Sequence, residues 1–131
     1  MTVRVEPGYH HYQFRVHAGR HTLIADVGHE LQGDDSGPDP HQLIEAALAV
    51  CTAQTLAMYA ERKQWPLQGV HVAVQVDSTA GGNRFQRRIE LNGELSDEQR
   101  QRLLEIANKC PIHRILTGTI TVQSDLVASL D

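Results

Sequence analysis

Two side chains in this sequence could serve as nucleophiles, Cys51 and Cys110, and 58 residues lie between them. A cysteine does chemistry as its thiolate, which needs a nearby positive charge or hydrogen-bond donor. Cys51 falls inside "EAALAVCTAQTLAMYAERK", an alanine-rich run that reads as a long helix. Lying about three turns beyond the helix start, it gains nothing from the helix dipole, whose effect fades within the first turn. A cation from another segment is therefore required. Arg15 and Arg20 near the N-terminus, and His113 or Arg114 after the second cysteine, are the candidates, and the sequence does not rank them. Cys110, in "IANKCPIH", reads as the end of a second helix, where unpaired carbonyls disfavour a thiolate. That asymmetry suggests that Cys51 attacks and Cys110 resolves. On pattern alone the commoner use of two free cysteines is packing, because cysteine is among the most buried residue types.

The other reactive-looking residues are weaker signals. Eight histidines include His10–His11, His17 with His21, and His113 in "CPIH", but no HExxH or paired CxxC frame accompanies them. No metal and no cofactor is expected. Gly81 and Gly82 in "STAGGN" lack the frame of a phosphate loop and read as a turn. Trp65 with Pro66 reads as the cap of a core edge.

The chain of 131 residues is long enough for one domain over 1–131, burying about two-thirds of its unfolded surface. A net charge of −4 argues against a basic field for nucleic acid, and Arg84, Arg87 and Arg88 read as part of a solvated strand. Two lone cysteines cannot build a secreted disulfide framework, which favours the cytoplasm. The start "MTVRVEPGYHHYQF" lacks the basic-then-apolar pattern of a signal peptide, and Glu45, Thr52, Gln54 and Thr55 interrupt the most apolar segment, so no membrane association is expected.

These residues need elements to place them. Residues 2–5 alternate apolar and polar, and 11–17 with 21–26, joined by "AGR", predict a hairpin. "LQGDDSGPDP" reads as a loop ending in a helix start, with Asp39 as N-cap, Pro40 at the first position and Gln42 as capping-box partner. The helix from Pro40 to Lys63 would be about 36 Å long. Between Leu43 and Ala60, 13 of 18 residues are apolar or cysteine, more than one small domain can cover, which predicts an obligate, intertwined homodimer. Its polar strip is narrow: His41, Glu45, Thr52 and Tyr59 fall within an arc of about 40°, with Cys51 at the border. Val70, Val72, Val74 and Val76 predict a strand, "STAGGN" a long loop, and 84–92 the returning strand with Phe85, Ile89 and Leu91 on one face. "SDEQRQRLLEIANKC" predicts a helix capped by Ser96 and Gln99, with Leu103, Leu104 and Ala107 inward, stopped by Pro111. "TGTITVQSD" reads as a last strand.

"GPDPHQLIEAALAVCTAQTLAMYAERKQWPL" followed by "LSDEQRQRLLEIANKCPIHRIL" resembles the OsmC/Ohr family of osmotically induced and organic-hydroperoxide-resistance proteins, and most closely its OsmC-like branch. The resemblance rests on Gly-Pro-x-Pro at the helix start, Val50-Cys51-Thr52 where the family has Ala-Cys-Thr, Met-Tyr-Ala further along the helix, and a second cysteine before Pro-Ile-His. It implies an α+β OsmC-like fold in which antiparallel sheets pack around long central helices of an intertwined homodimer. It also implies cofactor-free reduction of organic hydroperoxides, an antioxidant activity of the oxidative stress response. Cys51 matches the peroxidatic cysteine and Cys110 the resolving one, with a dithiol such as a lipoylated protein as reductant. The peroxidase branch carries a Glu directly after the helix-opening proline, which holds an N-terminal Arg against the cysteine. Here that position is His41, roughly 15 Å along the axis from Cys51. Glu45 on the polar strip is the carboxylate that would replace it, and Arg20, following a glycine near the hairpin turn, is the matching cation. A non-catalytic dimer of the same fold, holding a small hydrophobic ligand, is the alternative.

Overall fold

The computed structural model describes residues 2–130. Its elements are strands β1 (Val3–Pro7), β2 (Phe14–Ala18) and β3 (His21–Ala25), a 3-10 turn (His29–Leu31), helix α1 (Pro40–Lys63), strands β4 (Leu67–Thr79) and β5 (Gly82–Gly93), and helices α2 (Asp97–Ala107) and α3 (Pro111–Thr117). This is an α+β chain with a three-stranded sheet, β1-β2-β3, and a two-stranded ribbon, β4-β5. It divides into two compact units, one of residues up to Val50 with Val72–Arg88, the other of Cys51–His71 with the chain from Ile89 onward. Helix α1 and the ribbon contribute residues to both.

In the first unit the antiparallel register aligns Val5, Val16 and Leu23 across β1, β2 and β3. Strand alternation then gives one face Val5, Phe14, Val16 and Leu23, and the other Glu6, Arg15, His17 and Thr22. The polar face is bonded: His17 Nε2 lies 2.9 Å and Arg15 3.2 Å from the Glu6 carboxylate. The His17 hydrogen bond, then the Arg15 charge, holds the Glu6 carboxyl below its ordinary range. The apolar side opens on a groove of about 490 Å³ lined by Val5, Tyr12, Phe14, Val16, Leu31 and Leu43.

The loop between β3 and α1 is organised by Asp26, only 2% exposed. Its carboxylate accepts from the Ser36 hydroxyl at 2.6 Å and from the amides of Val27, Asp34 and Ser36. Four donors offset the cost of burying the charge. They hold its pKa at about 2, the Ser36 hydroxyl contributing most. The loop delivers the chain to α1 through the expected capping box: Gln42 N donates to Asp39 Oδ1 at 2.8 Å and Asp39 N to Gln42 Oε1 at 2.9 Å.

In the second unit Leu56, Leu103, Ile106 and Ala107 form the core, with Tyr59, Trp65, Val70, Ile89, Leu91 and Leu95 packed around it. Helix α1 ends with Gln64 in the left-handed region at φ 59°, Trp65 N bonded to Ala60 O and Gln64 N to Glu61 O. This is a Schellman closure with glutamine where glycine is the usual residue. Helix α2 starts on the predicted Ser96–Gln99 capping box. From it Arg100 donates to the carbonyls of Leu91 and Gly93, both at 3.0 Å, clamping the end of β5. At Gly93, φ 137°, a Cβ would collide with the Pro66 carbonyl.

Four sequence expectations change. Leu104 is 51% exposed and Ile106 buried in its place, because the buried α2 face runs 103, 106, 107 and Leu104 is turned about 100° from Leu103. The loop between β4 and β5 is two residues, Ala80 and Gly81, not a long one, since Gly82 at φ 129° lets pairing resume at once. Pro111 does not stop α2, which ends at Ala107; it opens α3 at the first helical position, where its missing N–H costs nothing. Residues 117–125 are not the expected last strand: Thr117 ends α3, the residues after it pair with no strand among the described residues, and Ile120 and Val122 stay exposed.

Candidate active site

Cys51 and Cys110 both belong to the second unit, and the link between them runs through Thr52. Its side chain is fully buried, with Oγ1 3.9 Å from Cys110 Sγ. The Thr52–Tyr59 part of the polar strip on α1 packs toward the second half of the chain: Thr52 lies against the second cysteine and, two turns on, the Tyr59 hydroxyl accepts from Arg102 Nε of α2 at 3.1 Å. Spacing of seven residues carried that signal. Cys51, one position before Thr52, is half-buried, whereas Cys110 is fully buried.

The surroundings of Cys110 overturn one step of the sequence reasoning. It is not at a helix C-terminus but is the N-cap of α3, and its Sγ accepts from His113 N at 3.3 Å. The backbone at Cys110 opens a helix instead of closing one, so the dipole argument for separating the two cysteines no longer applies. Exposure distinguishes the two sulfurs instead: Cys51 is half-buried and Cys110 fully buried. "CPIHRIL", a good cap position followed by proline, was the sequence signal for this helix start.

Arg20 and Glu45 lie in the first unit. Arg20 is exposed just before β3, after Gly19 at φ 63°. Glu45 is half-buried, its carboxylate accepting from the Val76 amide of β4 at 2.8 Å. Arg15, the other N-terminal cation, is bonded to Glu6 and stacked 5.5 Å over the Tyr9 ring. His41 is exposed in the first turn of α1, and of the cations after Cys110, Arg114 is exposed and His113 half-buried. Among the described residues no three His, Cys, Asp or Glu side chains come together as a metal site.

A fold of antiparallel sheets, one long helix bearing a half-buried thiol and a second thiol buried beside that helix defines a class. The family model for OsmC-like proteins matches residues 33–125, and the chain belongs to the OsmC family. Solved structures agree on the fold. An organic hydroperoxide resistance protein OsmC from Legionella pneumophila is 20% identical, with 89% of this chain and 88% of that one covered and a TM-score of 0.64. An OsmC-like protein from Mycoplasma pneumoniae is 17% identical over 81% and 79%, with a TM-score of 0.70. The organic hydroperoxide resistance protein OhrB of Bacillus subtilis is 20% identical over 89% and 90%, with a TM-score of 0.61. No curated protein sequence matches the chain.

Proposed function

We propose that this protein reduces organic hydroperoxides by a two-cysteine cycle. The observation that carries the reading is a half-buried Cys51 whose immediate neighbour, Thr52, touches the sulfur of a fully buried Cys110. The Cys51 thiolate attacks the distal peroxide oxygen, the O–O bond breaks, and the alcohol leaves after taking a proton. The resulting sulfenic acid condenses with the Cys110 thiolate, releasing water and forming a disulfide. A dithiol reductant, such as a lipoylated protein, returns both thiols and is itself oxidised to a disulfide. Names of relatives that include organic hydroperoxide resistance support the substrate class. Arg20 is the proposed activating cation and Glu45 the carboxylate that orders the start of α1; the cytoplasm is the proposed compartment.

The working form is proposed to be a homodimer. Helix α1 is long and apolar enough to cross a membrane by length and composition, yet only 22% of its most apolar window is buried within the chain. Ile44, Val50 and Met58 are left exposed on it. A second copy would cover them, and light scattering should give a mass near 29 kDa for a chain of 14.6 kDa. In the activity test, Cys51→Ser should abolish consumption of tert-butyl hydroperoxide with a dithiol present. Full turnover in Cys51→Ser would defeat the proposal. The apolar groove of about 490 Å³ favours a second reading, a binder of small hydrophobic molecules. That reading requires ligand binding unchanged in a double Cys→Ala variant and no turnover in the parent.

A further inference from the structure

Three of the chain's twelve lysines and arginines stand within 6 Å of the centre of one ring. The net charge is −4, and only two lysines occur, Lys63 and Lys109. Lys63 Nζ lies 5.7 Å, Arg62 Cζ 5.9 Å and Arg102 Cζ 5.8 Å from the centre of the Tyr59 ring. The hydrogen bond from Arg102 is the main cause that holds the Tyr59 phenol below its ordinary pKa, and the charges of Arg102, Lys63 and Lys109 add to it against desolvation. Arg62 and Lys63 have a ready structural use, since cations in the last turn of a helix complement its dipole. Arg102, from α2, bonds both the Tyr59 hydroxyl and Glu105, and Lys109 comes from the turn after that helix. Glu105 is the carboxylate bonded to the cluster, at 2.9 Å from Arg102. All four cations are exposed, and Lys109 directly precedes Cys110.

We propose that Arg62, Lys63, Arg102 and Lys109 form the docking surface for an acidic protein that presents the reducing dithiol to the Cys51–Cys110 disulfide. The inference rests on the two-cysteine reading. In a chain of net charge −4, four exposed cations from α1, α2 and the turn after it attract an acidic partner and orient it on this face. In the reaction the partner's two thiols give up two electrons and two protons, the Cys51–Cys110 bond breaks, and the partner leaves as a disulfide.

Two arms test this. Trp65, the single tryptophan, is edge-on to Tyr59 with ring centres 5.5 Å apart, so its emission reports occupancy of the patch. Hexaglutamate should change that emission saturably at low salt, hexaglutamine should not, and the change should vanish in Lys63→Gln/Lys109→Gln. In the second arm, peroxide-oxidised protein is reduced by dihydrolipoate or by dihydrolipoamide, the same dithiol with and without a carboxylate. At about 10 mM ionic strength dihydrolipoate should be at least about threefold faster, and the ratio should fall toward one at about 0.5 M salt or in the double variant. Equal responses to the two peptides overturn the surface itself. Hexaglutamate binding with a rate ratio of one at low salt overturns its assignment to the reductant. Absence of any Cys51–Cys110 disulfide after peroxide overturns the two-cysteine reading, while the peptide arm still decides whether the surface binds acidic partners.

Discussion

Replacing Cys110 by serine and by alanine separates its structural role from its chemical one. The sulfur is buried, caps α3 by accepting from His113 N at 3.3 Å, and lies 3.9 Å from Thr52 Oγ1. Serine is a preferred N-cap and its hydroxyl can also bond Thr52, so Cys110→Ser should keep stability within about 1 kcal/mol of the parent. Alanine loses the cap, about 1 kcal/mol, and leaves a methyl-sized void worth about 1 kcal/mol more. The sum of about 2 kcal/mol should lower Tm by roughly 6–10 °C for a chain of this size. Both variants should share the chemical defect: excess tert-butyl hydroperoxide drives Cys51 beyond the sulfenic acid, and mass spectrometry should find sulfinic Cys51 where the parent holds a disulfide. The assay is a thermal scan of reduced protein beside that mass measurement. If serine destabilises as much as alanine, the capping argument is wrong. If Cys110→Ser resists overoxidation as the parent does, Cys110 is not the resolving thiol.

Other expectations concern stability. Gln64→Gly should stabilise the protein by up to about 1 kcal/mol, because glutamine occupies a left-handed position that glycine adopts without strain; a chemical-denaturation midpoint moving upward checks this. The pKa of Asp26 is depressed to about 2 in the fold, so its contribution is full above the ordinary carboxylate pKa of 3.8 and is lost as pH falls toward 2. Ser36→Ala removes its strongest donor, raises that folded pKa, and should move acid unfolding, followed by Trp65 emission, to higher pH. Leu103→Ala, at a fully buried core position, should cost about 2–5 kcal/mol, read by denaturant titration.

Local chemistry made much of the fold legible. Both capping boxes could be read because each is a short pattern in which two side chains satisfy two amides. The hairpin β2–β3 was visible from its turn and alternation. The polar strip through Thr52 and Tyr59 was visible from helical periodicity, and its burial at Thr52 only from the packed structure. What failed depended on partners distant in sequence or on a single dihedral angle. Leu104 and Ile106 are equally apolar, and only the packing against Leu56 decides which one turns inward. Pro111 marks a stop or a start with equal force, and the backbone of Cys110, extended at φ −66° and ψ 144°, makes it a start. Residues 117–125 have strand-forming composition, but a strand also requires an edge to pair with. At the site, both cysteines could be picked out, whereas the difference between them, one half-buried and the other fully buried at the start of α3, required the packed structure.

Disulfide formation between Cys51 and Cys110 tests the central claim most directly. Reduced protein is treated with one equivalent of tert-butyl hydroperoxide, blocked with iodoacetamide, digested without reductant, and its peptides are weighed. The account predicts a cross-linked pair containing Cys51 and Cys110, two hydrogens lighter than the two separate peptides, with both thiols lost together. Recovery of both cysteines as alkylated thiols, with the peroxide unconsumed, would contradict it.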